Sequence, residues 1–169
     1  MPLLYVEDAA LPAPKNTPLS LFDAGGVNRI NTFYFRQKFV ATVLTSNVTA
    51  RIRYLIDDGL VLHLNGQEIH RFNMPAGTIT AASQATASAA EGVIVGPVEV
   101  ILTNLVAGTN VLAAEVHQVG VASVDVVMGV EFSIELAGAV LTPPASVPGA
   151  RLGLVPSGAQ FALVWSDPE

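Results

Sequence analysis

The feature that most constrains this chain is its hydrophobic alternation. From residue 32 onward apolar and polar residues alternate with period two, in short segments cut by turn residues. No segment carries the 3.6-residue period of an amphipathic helix. Residues 32–40 set Phe33, Phe35 and Phe39 among polar neighbours. Residues 48–56 place Arg51 and Arg53 on one face and Ile52, Tyr54 and Ile56 on the other. Asp57-Asp58-Gly59 is a turn signal. Residues 60–64 and 67–72 then flank Asn65-Gly66, a strong two-residue hairpin signal. Residues 93–102 read as a further strand. After the turn Ala107-Gly108-Thr109-Asn110, residues 111–118 point Leu112, Ala114 and Val116 one way and Glu115 and His117 the other. Residues 124–136 close the series with Met128, Val130, Phe132 and Ile134 in register. Strands recurring every 10 to 15 residues or so predict an all-β, antiparallel sandwich or barrel.

The flanks differ. Residues 1–31 carry Pro2, Pro12, Pro14 and Pro18, which exclude a helix, and read as a proline-rich N-terminal arm with apolar runs at 3–6 and 19–22. Residues 74–92 are small and polar and read as a surface loop, although alanine also permits a helix over 82–90. Residues 141–149 resemble a linker, followed by strand-like runs at 151–155 and 160–165. The organisation is therefore an arm (1–31), a sandwich (32–138), and a linker with a C-terminal strand pair or the start of a next domain (139–169).

Composition narrows the function classes. Hydrophobic residues make up 51% of the chain, charged residues 13%, and the mean hydropathy is +0.51, which argues against disorder. A net charge of -6 without a basic run argues against nucleic acid. No apolar stretch reaches the roughly 18 residues of a spanning helix, so no membrane insertion is expected. Without cysteine there is no thiolate chemistry or zinc-thiolate site. The apolar excess requires a large core or a covering partner.

Three groups of residues could carry chemistry. His70, Arg71 and Asn73, beside Phe72, are of the types that hold sugar hydroxyls next to a stacking ring, or they simply end a strand. Asp57 and Asp58 could bind calcium or sugar hydroxyls, or serve as plain turn residues. Glu115 and His117 share a strand face, and His63 would join them if its strand lay alongside. That trio could ligate a metal or exchange protons, or form a half-polar outer sheet face. Nothing supports a nucleophilic elbow, a phosphate loop or a paired-carboxylate cleft, so no enzyme is expected.

Three stretches together carry a resemblance. They are Thr32-Phe33-Tyr34-Phe35-Arg36-Gln37-Lys38-Phe39, the Asp57-Asp58-Gly59 turn with its Asn65-Gly66 hairpin, and Leu105-Val106-Ala107-Gly108-Thr109-Asn110-Val111-Leu112-Ala113. The pattern resembles the galactose-binding-like jelly roll, which includes the sugar-binding-type domain of family 2 glycosidases and accessory modules of large secreted bacterial proteins. Asn73-Met74-Pro75-Ala76-Gly77 strengthens the likeness to the accessory modules. The resemblance covers roughly residues 30 to 137. Such modules usually carry tryptophans in a longer N-terminal portion, whereas the one tryptophan here is Trp165.

The resemblance implies a noncatalytic carbohydrate-binding or adhesion module, extracellular or at the cell surface. Carbohydrate or neighbouring protein domains are the expected partners, and no cofactor is expected, calcium at Asp57 and Asp58 being the one option that the adjacent carboxylates leave open. No signal peptide leads the chain, so a fragment of a longer protein is expected. The alternative expectation is a structural assembly subunit, such as a virion decoration or fibre protein or a self-associating homo-oligomer. Sparse charge and open strand edges favour association.

Overall fold

The computed structural model describes residues 1–6, 10–41, 48–90, 92–135 and 160–164. Among them the chain forms strands and no helix: β1 (Leu3–Val6), β2 (Lys15–Pro18), β3 (Thr32–Ala41), β4 (Val48–Asp57), β5 (Gly59–Leu64), β6 (Gln67–Phe72), β7 (Val95–Leu102), β8 (Gly108–His117), β9 (Val126–Glu135) and β10 (Gln160–Val164). The linker-like segment 141–149 and the run 151–155 lie outside the described residues. Residues 74–90 are irregular with short turns, without helix over 82–90.

The strands build two sheets, ordered β2-β1-β9-β4-β7 (with β10 also on β9) and β3-β8-β5-β6. All pairings are antiparallel except β1 with β2. β1 pairs with Val126–Met128 and β10 with Glu131–Glu135, so the two follow one another along the edge of β9 that β4 leaves open. The N-terminal residues are thus partly a strand of the larger sheet, and Leu3 is fully buried.

The period-two faces explain the core. Phe33 and Phe39 from β3, Ile52, Tyr54 and Ile56 from β4, Leu60, Leu62 and Leu64 from β5, Leu112, Ala114 and Val116 from β8, and Met128, Val130, Phe132 and Ile134 from β9 form one buried cluster. Both sheets contribute to it, so the architecture is a β-sandwich. Phe39 and Phe132 meet across it, with ring centroids 6.2 Å apart.

Two smaller clusters lie outside the sandwich. Leu3, Leu55 and Val127 are capped by Met1, Leu11, Ala13 and Ile94 on the far face of the larger sheet. Val61, Met74 and Ala85 are capped by Ile79 and Val119 on the far face of the smaller one. A side-chain carbon at Gly59 would collide with the Met74 sulfur, so glycine lets the 73–90 loop lie directly on β5. Each sheet therefore has part of its outer face covered by irregular chain. That accounts for much of the apolar excess.

The register of β5 against β8 is fixed by two asparagines. Asn110, fully buried, makes four bonds. Its Oδ1 accepts from the Val106 amide (2.9 Å) and the Asn65 side chain (2.9 Å), and its Nδ2 donates to the carbonyls of Val106 (2.8 Å) and Gly108 (3.0 Å). Asn65, in the left-handed region at φ 51° ahead of Gly66, exchanges bonds with Val111. Its amide donates to the Val111 carbonyl (2.8 Å), and its Oδ1 accepts from the Val111 amide (2.8 Å). The hairpin turn and the Gly-x-Asn turn are thus one structure. Asn110→Ala strips partners from buried groups of both turns, each of which costs about 1–3 kcal/mol when left unsatisfied. We expect a loss of roughly 3 kcal/mol by urea denaturation, with an unchanged slope.

Candidate functional site

The uncovered part of the smaller sheet's outer face holds a groove. On β3 the even positions Tyr34, Arg36 and Lys38 face outward because Phe33 and Phe39 face the core. On β8 the outward set is Val111, Ala113, Glu115 and His117, and on β5 it is Val61 and His63. Register aligns these in rows. Arg36, Ala113 and His63 form one row, and Tyr34, Glu115 and Val61 the next. Ala113 is the small residue between larger ones, and over it opens a groove of ≈ 360 Å³ lined by Tyr34, Arg36, His63, Gly66, Val111 and Glu115 among others. Arg36 and His63 stand two strand spacings apart, about 10 Å.

The row arrangement brings together the trio suspected from sequence. Glu115 Oε1 lies 3.7 Å from His63 Nδ1, and its Oε2 lies 3.3 Å from His117 Nε2. His117 is fully buried beneath the 80–85 segment. Its Nδ1 is 2.9 Å from both the Ser83 carbonyl and Thr32 Oγ1. Thr32 donates its hydroxyl hydrogen to the Ala81 carbonyl (2.9 Å), so its oxygen can only accept from His117. This network assigns a hydrogen to Nδ1. In the trio two imidazole rings flank the Glu115 carboxylate at the groove. Among the described residues no group of three or more His, Asp or Glu side chains has metal-holding geometry.

Tyr34, at 56% exposure, presents its ring to solvent beside Glu115. Partial burial, with the Glu115 charge in second place, pushes its hydroxyl pKa above the ordinary value. Arg36 is exposed on the other side of Ala113.

The other residues singled out from sequence lie elsewhere and hold the structure together. Asp58 is buried, and its carboxylate accepts from the amides of Ala89 (2.9 Å) and Val119 (2.7 Å). Both oxygens therefore already face N–H donors, an arrangement that satisfies the anion without a cation. Asp57 is buried at the end of β4. Asn73, at φ 53°, donates to the carbonyls of Asp58 (3.1 Å) and Ala87 (2.6 Å) and accepts from Thr86 Oγ1 (2.7 Å). Arg71 grips Glu68 with two bonds (2.8 and 2.6 Å) and donates to the carbonyls of Pro75 and Gly77. Asp58, Arg71 and Asn73 thus pin the 73–90 loop that covers His117.

His70 turns inward. Its ring packs on Tyr54 at 5.3 Å, and its Nε2 is 3.2 Å from the Tyr54 hydroxyl. The reason lies in a register shift between Leu62 and His63, where β6 carries an extra residue opposite β5.

Sequence reasoning did not single out Tyr34, Arg36 and Ala113, which line this groove. The signal was present in the alternation of 32–39, because placing the phenylalanines in the core puts Tyr34, Arg36 and Lys38 outside. Compared with known proteins, the chain matches no family model and no curated protein.

Asp58→Ala removes two charge-assisted bonds, each worth about 1.5–3 kcal/mol. We expect a stability loss of roughly 3 kcal/mol, and limited proteolysis should cut first within 73–90. His70 supplies a pH dependence. Burial holds its pKa below the ordinary 6.5, with Glu68 opposing more weakly. The unfolded chain therefore binds the proton more readily. The contribution to stability is complete above about pH 6.5 and is lost as pH falls from there through the folded value. The thermal midpoint should drop over that acid range, and His70→Gln should flatten the drop.

Proposed function

We propose that this chain is a noncatalytic carbohydrate-binding module of the galactose-binding-like jelly-roll kind. It would act in an extracellular or cell-surface bacterial protein, with its ligand on the outer face of β3, β8 and β5. The observation that carries this reading is the groove over Ala113. It sets an exposed tyrosine ring beside a carboxylate, an imidazole and a guanidinium within about two strand spacings. A sugar needs that combination, a flat apolar face for its C–H side and fixed polar groups for its hydroxyls.

Further features support the reading. From β3 to β9 the chain passes between the sheets at every step except the β5–β6 hairpin, a connectivity in keeping with a jelly roll. The motifs of the resemblance meet in the Asn65–Asn110 junction at the end of the groove. Glu115 is the one carboxylate among the groove's lining residues, whereas glycoside hydrolysis requires two. His63 and His117 flank Glu115, which holds its carboxylate where it can accept from a hydroxyl.

The test is a glycan array followed by calorimetry on the intact chain. Tyr34→Ala should weaken binding by about ten- to a hundred-fold, as expected for loss of a stacking ring worth about 1.5–3 kcal/mol. Its unfolding midpoint should stay near that of the parent, since the ring is exposed. Absence of binding to neutral and acidic glycans alike would remove the proposal.

A further inference from the structure

The charged side chains divide unevenly. Arg51 pairs with Glu99 (3.0 Å), Arg53 with Glu131 (3.8 Å) and Arg71 with Glu68 (2.6 Å). Arg29 donates to the Ser123 carbonyl (2.6 Å) and covers the Phe22 ring, and Lys15 lies over the Tyr5 ring. Among the described residues, Arg36 and Lys38 are the cations whose side chains have no such partner. Both stand on the outward face of β3, two residues apart, and Arg36 lines the groove. Glu115, one row away on the adjacent strand, is engaged by His63 and His117 instead.

In a chain of net charge -6, two adjacent unpaired cations are not explained by composition. An exposed guanidinium beside a groove offers a planar fork that matches a carboxylate with two parallel bonds. The groove is bipolar, with Arg36 and Lys38 at one side of Ala113 and Glu115 with His63 at the other.

We infer that the ligand is an acidic sugar, a uronic-acid residue of a glycan. Its carboxylate is held by Arg36 with Lys38 beside it. Its ring lies over Ala113 against Tyr34, and its hydroxyls meet Glu115 and His63. This rests on the carbohydrate-binding reading of the same groove and names the substrate class within it.

The test uses the intact protein with a panel of uronate oligosaccharides in gluco, galacto, manno and gulo configurations. Each is matched with its methyl ester and with its neutral parent sugar. At least one uronate should bind ten-fold or more tightly than its ester, with affinity falling as salt rises. Arg36→Gln should erase the acid–ester difference without shifting the unfolding midpoint, since Arg36 makes no contact that the fold needs. Arg36→Lys should retain part of that difference, and Lys38→Gln should reduce it less than Arg36→Gln does. Equal binding of acid, ester and neutral sugar, lost in Tyr34→Ala but not in Arg36→Gln, would overturn the acidic-sugar inference and leave the carbohydrate reading standing. Binding to no member of the panel would overturn both.

Discussion

The pairing of β5 with β8 is the constraint on which the candidate site depends. Strand pairs repeat with period two, so a slip of one residue exchanges the faces. It would carry His63 into the core and Leu62 and Leu64 onto the surface. Two opposed forces hold the register. Burial of Leu60, Leu62 and Leu64 against Leu112, Ala114 and Val116 sets the parity. The Asn65–Asn110–Val111 bonds then fix the end from which the pairs are counted. Asn110 can do this because all four of its bonding functions are met inside the fold, so its burial carries no unsatisfied polar group.

Irregular chain does the second share of the work. In a sandwich both outer faces are open to solvent unless something covers them. Here residues near the N-terminus cover part of one face around Leu55 and Val127, and the 73–90 loop covers part of the other around Val61 and Ala85. Loops seldom lie on apolar surface without fixing their own polar groups. Asp58, Arg71 and Asn73 meet that demand by binding the backbone of the loop or of its neighbours. The groove is the area of the smaller sheet that this cover does not reach.

The fold was legible where alternation was strong. The segments 32–40, 48–56 and 67–72 became strands within a residue of those limits, and the inward sets of β4, β8 and β9 are those the period requires. The β5–β8 adjacency could not be read locally, because strand order is decided by contacts far apart in sequence. That is why the grouping of His63 with Glu115 and His117 stayed conditional on the pairing. The residues favoured for ligand contact from sequence lie outside this groove for a related reason. His, Arg, Asn and Asp beside a turn are as well suited to tying a loop as to holding a sugar. In Asp58, Arg71 and Asn73 the polar atoms find backbone partners within the molecule. His70 turns inward through the register shift in β6, which no residue pattern announces.

Charge is scarce in this chain, and its placement is therefore informative. Where only 13% of residues are charged, an ionised side chain left without a partner stands out against a surface that is otherwise neutral. Most described arginines face a carboxylate or a carbonyl, and such exposed pairs add little stability. They do remove free charge from the surface, which leaves the outer edge of β3 as a local positive feature. Glu115, the carboxylate one row away on β8, lies against two imidazoles. Around Ala113 a guanidinium on β3 and a carboxylate on β8 therefore flank a short apolar floor, and such a pair of charges sets up a dipolar field. Such a field orients a ligand bearing charge at one end and hydroxyls at the other, and it disfavours the reversed pose. On the proposed reading, selectivity on this face would follow from which charges the fold neutralises and which it leaves.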